Sequence, residues 1–169
     1  MAEEISLEEL LGFREYKYKK RLELEKECSC LISMTLCIPA EFRLTEKYKS
    51  FLRRSADEVC SELLKGGTRI IRTLELDGAD GLTVFIITDG DSDIKRKCIL
   101  LEATLPAGRL LDIDVSCGSA LSRRDMGLPP RRCFICGGEA AVCVAGQKHS
   151  RQEIADYIRS MEKLITGLY

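Results

Sequence analysis

The strongest constraint on the fold is a period-two run in which Ile32, Met34, Leu36 and Ile38 alternate with Ser33, Thr35 and Cys37. Successive side chains of a strand point to opposite faces, so the run predicts a strand with one apolar and one polar face. Pro39 ends it, because proline has no backbone donor for a ladder. An apolar sheet face must be covered, and the helical periods in the rest of the chain supply the cover. Leu7, Leu11, Tyr18 and Leu22 predict an amphipathic helix over 6–26, with the charge run Arg14 to Glu27 as its solvated face. Tyr48, Phe51, Leu52, Val59, Leu63 and Leu64 share one face of a second helix, capped at Thr45 and stopped by Gly66-Gly67.

Residues 69–77 and 82–88 are β-rich and flank Gly78-Ala79-Asp80-Gly81, which predicts a hairpin whose second strand, Leu82 to Thr88, is buried on both faces. Ile94, Cys98 and Leu101 favour a short helix, although Cys98 to Leu101 also suits a strand. A further strand is predicted over 110–116. Ser150 and Glu153 form a capping box before Ile154, Tyr157, Ile158, Met161, Ile165 and Leu168, so a closing helix is predicted over 150–167. These elements describe one α+β domain over 1–169: a mixed or antiparallel sheet of about four strands with packed helices.

With 45% hydrophobic and 31% charged residues, the chain has the composition of a packed protein and not of a disordered segment. Its 26 basic and 27 acidic side chains nearly cancel, which excludes a global field for nucleic acid, so any anion site is local. The start Met1-Ala2-Glu3-Glu4-Ile5 lacks the basic, apolar character of a secretory signal, and no apolar run approaches membrane-spanning length. A cytoplasmic protein without membrane contact is expected. The odd count of 9 cysteines then predicts free thiols or metal ligands, most of them small core residues.

Little periodicity marks 117–149, and the whole irregular segment 108–149 carries the candidate chemistry. Asp112 and Asp114 lie two apart on the predicted strand, so both project from one face while Leu111, Ile113 and Val115 face the core. Such a pair can hold Mg²⁺ against substrate phosphates, or can be two solvated acids at a strand end. Between Gly108 and Arg132, five arginines (Arg109, Arg123, Arg124, Arg131 and Arg132) face Asp112, Asp114 and Asp125. Guanidinium forks suit phosphate, and they equally suit surface ion pairs with those aspartates. Cys133, Cys136, Cys143 and His149, the chain's 1 histidine, have the spacing Cys-x₂-Cys-x₆-Cys-x₅-His. Four soft ligands can close a zinc tetrahedron; the alternative is three buried thiols with His149 as a cap or substrate contact.

Gly108-Arg109-Leu110-Leu111-Asp112-Ile113-Asp114-Val115, then Ser122-Arg123-Arg124-Asp125, Leu128-Pro129-Pro130-Arg131-Arg132-Cys133, Ala140-Ala141-Val142-Cys143 and Lys148-His149 resemble the citrate lyase holo-acyl-carrier-protein synthases. The resemblance implies a nucleotidyltransferase-like fold and a cytoplasmic nucleotidyltransferase. That enzyme moves 2′-(5″-triphosphoribosyl)-3′-dephospho-CoA onto a serine of the apo acyl carrier protein of citrate lyase, releasing pyrophosphate. On this reading Asp112 and Asp114 hold Mg²⁺, and Glu102 is a third acid or the base. Arg109, Arg123, Arg124, Arg131, Arg132 and Ser122 bind the triphosphate, and the Cys/His loop is structural. Leu105 stands where the family pattern leads to a histidine. The carrier of malonate decarboxylase is an alternative acceptor. A non-catalytic zinc module binding RNA or protein is the alternative from another class, disfavoured by the near-zero net charge and by a patch with Phe134 as its one nearby aromatic.

Overall fold

A computed structural model of the chain describes residues 5–167, so the Met1 to Glu4 start and Leu168 lie outside the described residues. The alternating run forms β1 (Cys30–Leu36), the hairpin forms β2 (Arg69–Leu76) and β3 (Thr83–Asp89), and the later strand forms β4 (Leu111–Ser116). A two-residue strand, β5 (Ala120–Leu121), adds a fifth to the four expected. The order is β2-β3-β1-β4-β5 and the pairings are antiparallel, which decides between the two sheet types left open by the sequence.

β1 lies centrally, with Met34 opposite Val84 on one side and Ile113 on the other. Ile32, Met34, Val84, Ile86, Leu111, Ile113 and Val115 therefore share one sheet face. They are buried there under α3 (Glu46–Lys65), α4 (Asp93–Thr104), α6 (Arg151–Ser160) and α7 (Glu162–Thr166). Ile32 and Met34 are 0% exposed, and burial of side chains this size stabilises by roughly 1.5–3 kcal/mol each. β3 is buried on both faces, as predicted.

The opposite sheet face is divided. At one end Leu31, Phe85 and Ile87 pack on Leu24 of α1 (Leu7–Leu24). Toward the other end, strand alternation presents Ser33, Thr35, Thr83, Asp112 and Asp114. This polar end turns α1 over relative to the sequence expectation. Leu7, Leu11, Tyr18 and Leu22 are exposed, at 69%, 54%, 60% and 41%, and Leu24 is the buried residue of the helix. The inward stripe is Phe13, Arg14, Lys17, Arg21 and Leu24, at helical spacing and matched to a polar floor. Phe13 lies on the β2–β3 turn at Gly78, where an added Cβ would fall 2.3 Å from Phe13 Cε2, so the turn needs glycine for the helix to approach.

Three smaller differences have local causes. A four-residue helix, α2 (Ala40–Arg43), is too short to show a period. The closing helix forms its capping box at Ser150 and Glu153 but divides at Met161. Cys30 and Cys117 are joined as a disulfide, contrary to the expectation of free thiols or metal ligands, because the pairing of Leu31 with Ser116 places the two cysteines opposite each other just beyond it. No helix among the described residues is long and apolar enough to cross a membrane.

Candidate functional site

β5 pairs only with Val115 and Ser116, which leaves the outer edge of β4 beside the acid pair without a strand partner. Two side chains of α4 take that place. Lys95 Nζ donates to the Ile113 carbonyl at 2.9 Å and the Ile113 N–H donates to Glu102 Oε1 at 2.9 Å. Both residues are buried, at 6% and 7% exposure, so neither charge is freely hydrated. Their bonds fix the residue that separates Asp112 from Asp114.

Asp112 is half-buried and Asp114 exposed, side by side on the polar face as the spacing predicts. Arg131 Nη1 contacts Asp112 Oδ1 at 3.2 Å, while its Nη2 donates to the carbonyls of Arg109 (2.9 Å) and Leu111 (2.5 Å). Arg131 is thereby committed to orienting Asp112. Burial pushes the Asp112 carboxyl above the ordinary range and Asp114 adds to this, with Arg131 and Lys95 opposing. Burial likewise raises Glu102, against Arg131 and the Ile113 N–H. Two adjacent acids, one of them raised by burial and by its neighbour's charge, fit a divalent cation.

The 310 Å³ cleft over these acids is also lined by Lys95, Ser122, Arg123 and Arg131. Ser122 Oγ donates to Asp125 Oδ2 at 2.6 Å, closing a turn, and Arg123 Nε donates to the Pro129 carbonyl at 2.9 Å. Arg109 and Arg132 do not join them. They line an adjoining groove with Arg123, Pro129 and Pro130, against the stacked rings of Phe134 and Tyr157, whose centroids are 4.6 Å apart. Arg109 donates to the Arg132 carbonyl, and Arg132 Nη1 donates to the Gly137 carbonyl at 3.3 Å. Arg124 is exposed outside both clefts. The single arginine patch expected from the sequence is thus divided, because the chain wraps from the turn before β4 around its edge. Leu105 caps α4 and packs against the core, outside the acid cleft.

Cys133, Cys136, Cys143 and His149 converge, with all ligand atoms within 4.8 Å of one another. Cys133 Sγ lies 3.3 Å from His149 Nε2, and Cys136 Sγ lies 3.5 Å from Cys143 Sγ. Zinc bonds of about 2.3 Å in a tetrahedron require donors roughly 3.8 Å apart, so small shifts complete the site and the cluster can hold a metal such as zinc. Cys143 comes from α5 (Ala140–Ala145). Burial pushes the Cys133 thiol up, but backbone N–H groups of Cys136 and Ile135 outweigh it and bring it down to about 7. Cys143 is raised to about 11 by burial and the neighbouring thiols.

The sequence reading missed Lys95 and the cations of α1. Their signals were present: Lys95 and Glu102 lie seven apart on one helical face, and Arg14, Lys17 and Arg21 share the spacing of Leu24.

Paired carboxylates among guanidinium groups suit transfer of a phosphorus-bearing group, and the chain is an enzyme of the transferase class. Residues 5–164 match the family described as "Apo-citrate lyase phosphoribosyl-dephospho-CoA transferase", and the chain belongs to that family. Among its relatives, a Streptococcus pyogenes serotype M18 protein named "Probable apo-citrate lyase phosphoribosyl-dephospho-CoA transferase" is 37% identical, covering 94% of this chain and 86% of its own length. The Escherichia coli (strain SMS-3-5 / SECEC) and Shigella boydii serotype 18 proteins of that name, without the qualifier, are each 33% identical over 97% of this chain and 90% of their own.

Proposed function

We propose that the chain, as one cytoplasmic transferase domain, moves 2′-(5″-triphosphoribosyl)-3′-dephospho-CoA onto a serine of the apo acyl carrier protein of citrate lyase and releases pyrophosphate. The observation that carries this reading is the convergence of Asp112, Asp114, Arg123 and Arg131 on one cleft in a member of this family.

In the proposed reaction the carrier serine oxygen attacks the α-phosphorus, a phosphodiester forms, and the bond to the β-phosphate breaks. Mg²⁺ held by Asp112 and Asp114 would draw charge from the phosphate oxygens. Arg131 orients Asp112 through its contact at 3.2 Å. Lys95 and Glu102 hold the strand in place through Ile113. Glu102 also takes the serine proton on Oε2, since Oε1 is engaged and burial raises its basicity. Arg123 and Ser122 contact the α-phosphate from the cleft wall. Arg109 and Arg132 take the dephospho-CoA portion in the adjoining groove, with Arg124 adding positive field beside it. Zinc at Cys133, Cys136, Cys143 and His149 would fix the loop that carries Arg131 and Arg132.

The test is pyrophosphate release in a coupled assay. Release that requires protein, Mg²⁺, the triphosphate and apo carrier together supports the reading. Release independent of the carrier contradicts it.

A further inference from the structure

A second cleft, of 280 Å³, reaches the acid pair from the α1 side, with Asp112 and Asp114 common to both. One wall is the inward stripe Arg14, Lys17 and Arg21, and the floor carries the hydroxyl residues Ser33, Thr35 and Thr83. Arg14, Lys17 and Arg43 all bond the single carboxylate of Asp80, at 3.0, 2.7 and 2.6 Å. Burial raises Asp80, but these cations outweigh it and hold it ionised below the ordinary range. One ion pair would tie α1 to the turn; three cations on one carboxylate leave positive charge beside the cleft. Asp112 and Asp114 offset part of this charge, and a divalent cation on that pair would leave the lining of Arg14, Lys17 and Arg21 net positive. A separate observation points the same way. Thr83 is 2% exposed and its Oγ1 has no hydrogen-bond partner among the described residues, nor has the buried Nε of Arg43. Buried polar atoms are normally paired, so an unpaired buried hydroxyl under this cleft marks a place for a polar ligand.

We propose that this α1 cleft binds the β- and γ-phosphates of the triphosphate substrate, through Arg14, Lys17 and Arg21 with Thr83 beneath. The assignment rests on the transfer reaction proposed above and gives its leaving group a place. Arg131 and Arg109 are fixed by backbone carbonyls, whereas Arg14, Lys17 and Arg21 are held by carboxylates at 3.0, 2.7 and 3.0 Å and can exchange these partners for phosphate. The two clefts meet at the acid pair, one walled by α4 and β5 and the other by α1, β1 and β3, an arrangement that suits in-line displacement. The serine oxygen enters from the Glu102 side, its proton passes to Glu102, and pyrophosphate departs toward α1 with the electron pair of the broken P–O bond.

Calorimetric titration of the full chain with Mg²⁺ and inorganic tripolyphosphate tests the subsite without the carrier. Arg21→Gln and Lys17→Gln each raise Kd roughly tenfold, the value of one charge-assisted hydrogen bond. Lys19→Gln, which removes the same charge from the outward face of the helix, leaves Kd unchanged. Arg21 pairs with Glu25 on its own helix, so Arg21→Gln leaves the Asp80 tie intact even where Lys17→Gln loosens α1. Wild-type affinity in the folded Arg21→Gln and Lys17→Gln proteins overturns the subsite, even if the carrier is modified. Weakened binding in both supports it, even if the carrier stays unmodified and the transfer reading falls.

Discussion

Glu102 holds the strand that carries the acid pair, its Oε1 accepting the N–H of Ile113 at 2.9 Å. The same carboxylate lines the cleft, so it serves both the strand edge and the proposed proton transfer.

Two substitutions separate those roles. Glu102→Gln keeps an acceptor for Ile113 but cannot take a proton, so the fold survives and turnover falls by about 10²–10⁴. Glu102→Ala leaves a buried N–H unpaired and destabilises by roughly 1–3 kcal/mol. Thermal melts and turnover measure both. Full turnover in Glu102→Gln removes the base assignment.

Burial of Glu102 also sets a pH dependence. A carboxyl raised above its usual 4.5 makes the folded state bind more protons than the unfolded one, so its stabilising contribution is present below that value. It is lost as pH rises through the folded value. The stability of wild type relative to Glu102→Gln therefore falls with pH across this window. A difference that does not change with pH contradicts the burial argument.

Asp112→Asn and Asp114→Asn are nearly isosteric and discard the charge that holds Mg²⁺. Each lowers turnover by at least about 10²-fold while circular dichroism stays that of wild type. Near wild-type turnover in both rejects the metal role.

Protein purified without chelators is expected to contain one zinc per chain, and Cys143→Ser or His149→Ala to lose it together with thermal stability. Elemental analysis with melting curves gives both quantities. Low zinc that resists reconstitution favours the alternative of buried thiols.

The apolar alternation around β1 and the isolated acid spacing were legible in the sequence because a strand's period is short and local. Asp112 and Asp114 share a face, and Leu111, Ile113 and Val115 face the core, as the spacing requires. The orientation of α1 was not legible. Its apolar residues define a stripe as regular as its cations, and the choice between them depends on Asp80 and the polar end of a sheet built from distant strands. The division of the arginines was hidden for a similar reason. Residues 117–139 have little periodicity, and their path is set by backbone contacts such as the bridge between Arg132 and Glu139.

Intact-mass spectrometry of the carrier tests the central claim most directly. Apo acyl carrier protein of citrate lyase is incubated with the enzyme, Mg²⁺ and triphosphoribosyl-dephospho-CoA. The predicted result is a gain of one phosphoribosyl-dephospho-CoA per carrier, absent without Mg²⁺ or when the acceptor serine is alanine, with pyrophosphate formed in equal amount. A carrier whose mass never changes contradicts the account and directs the same measurement to the malonate decarboxylase carrier.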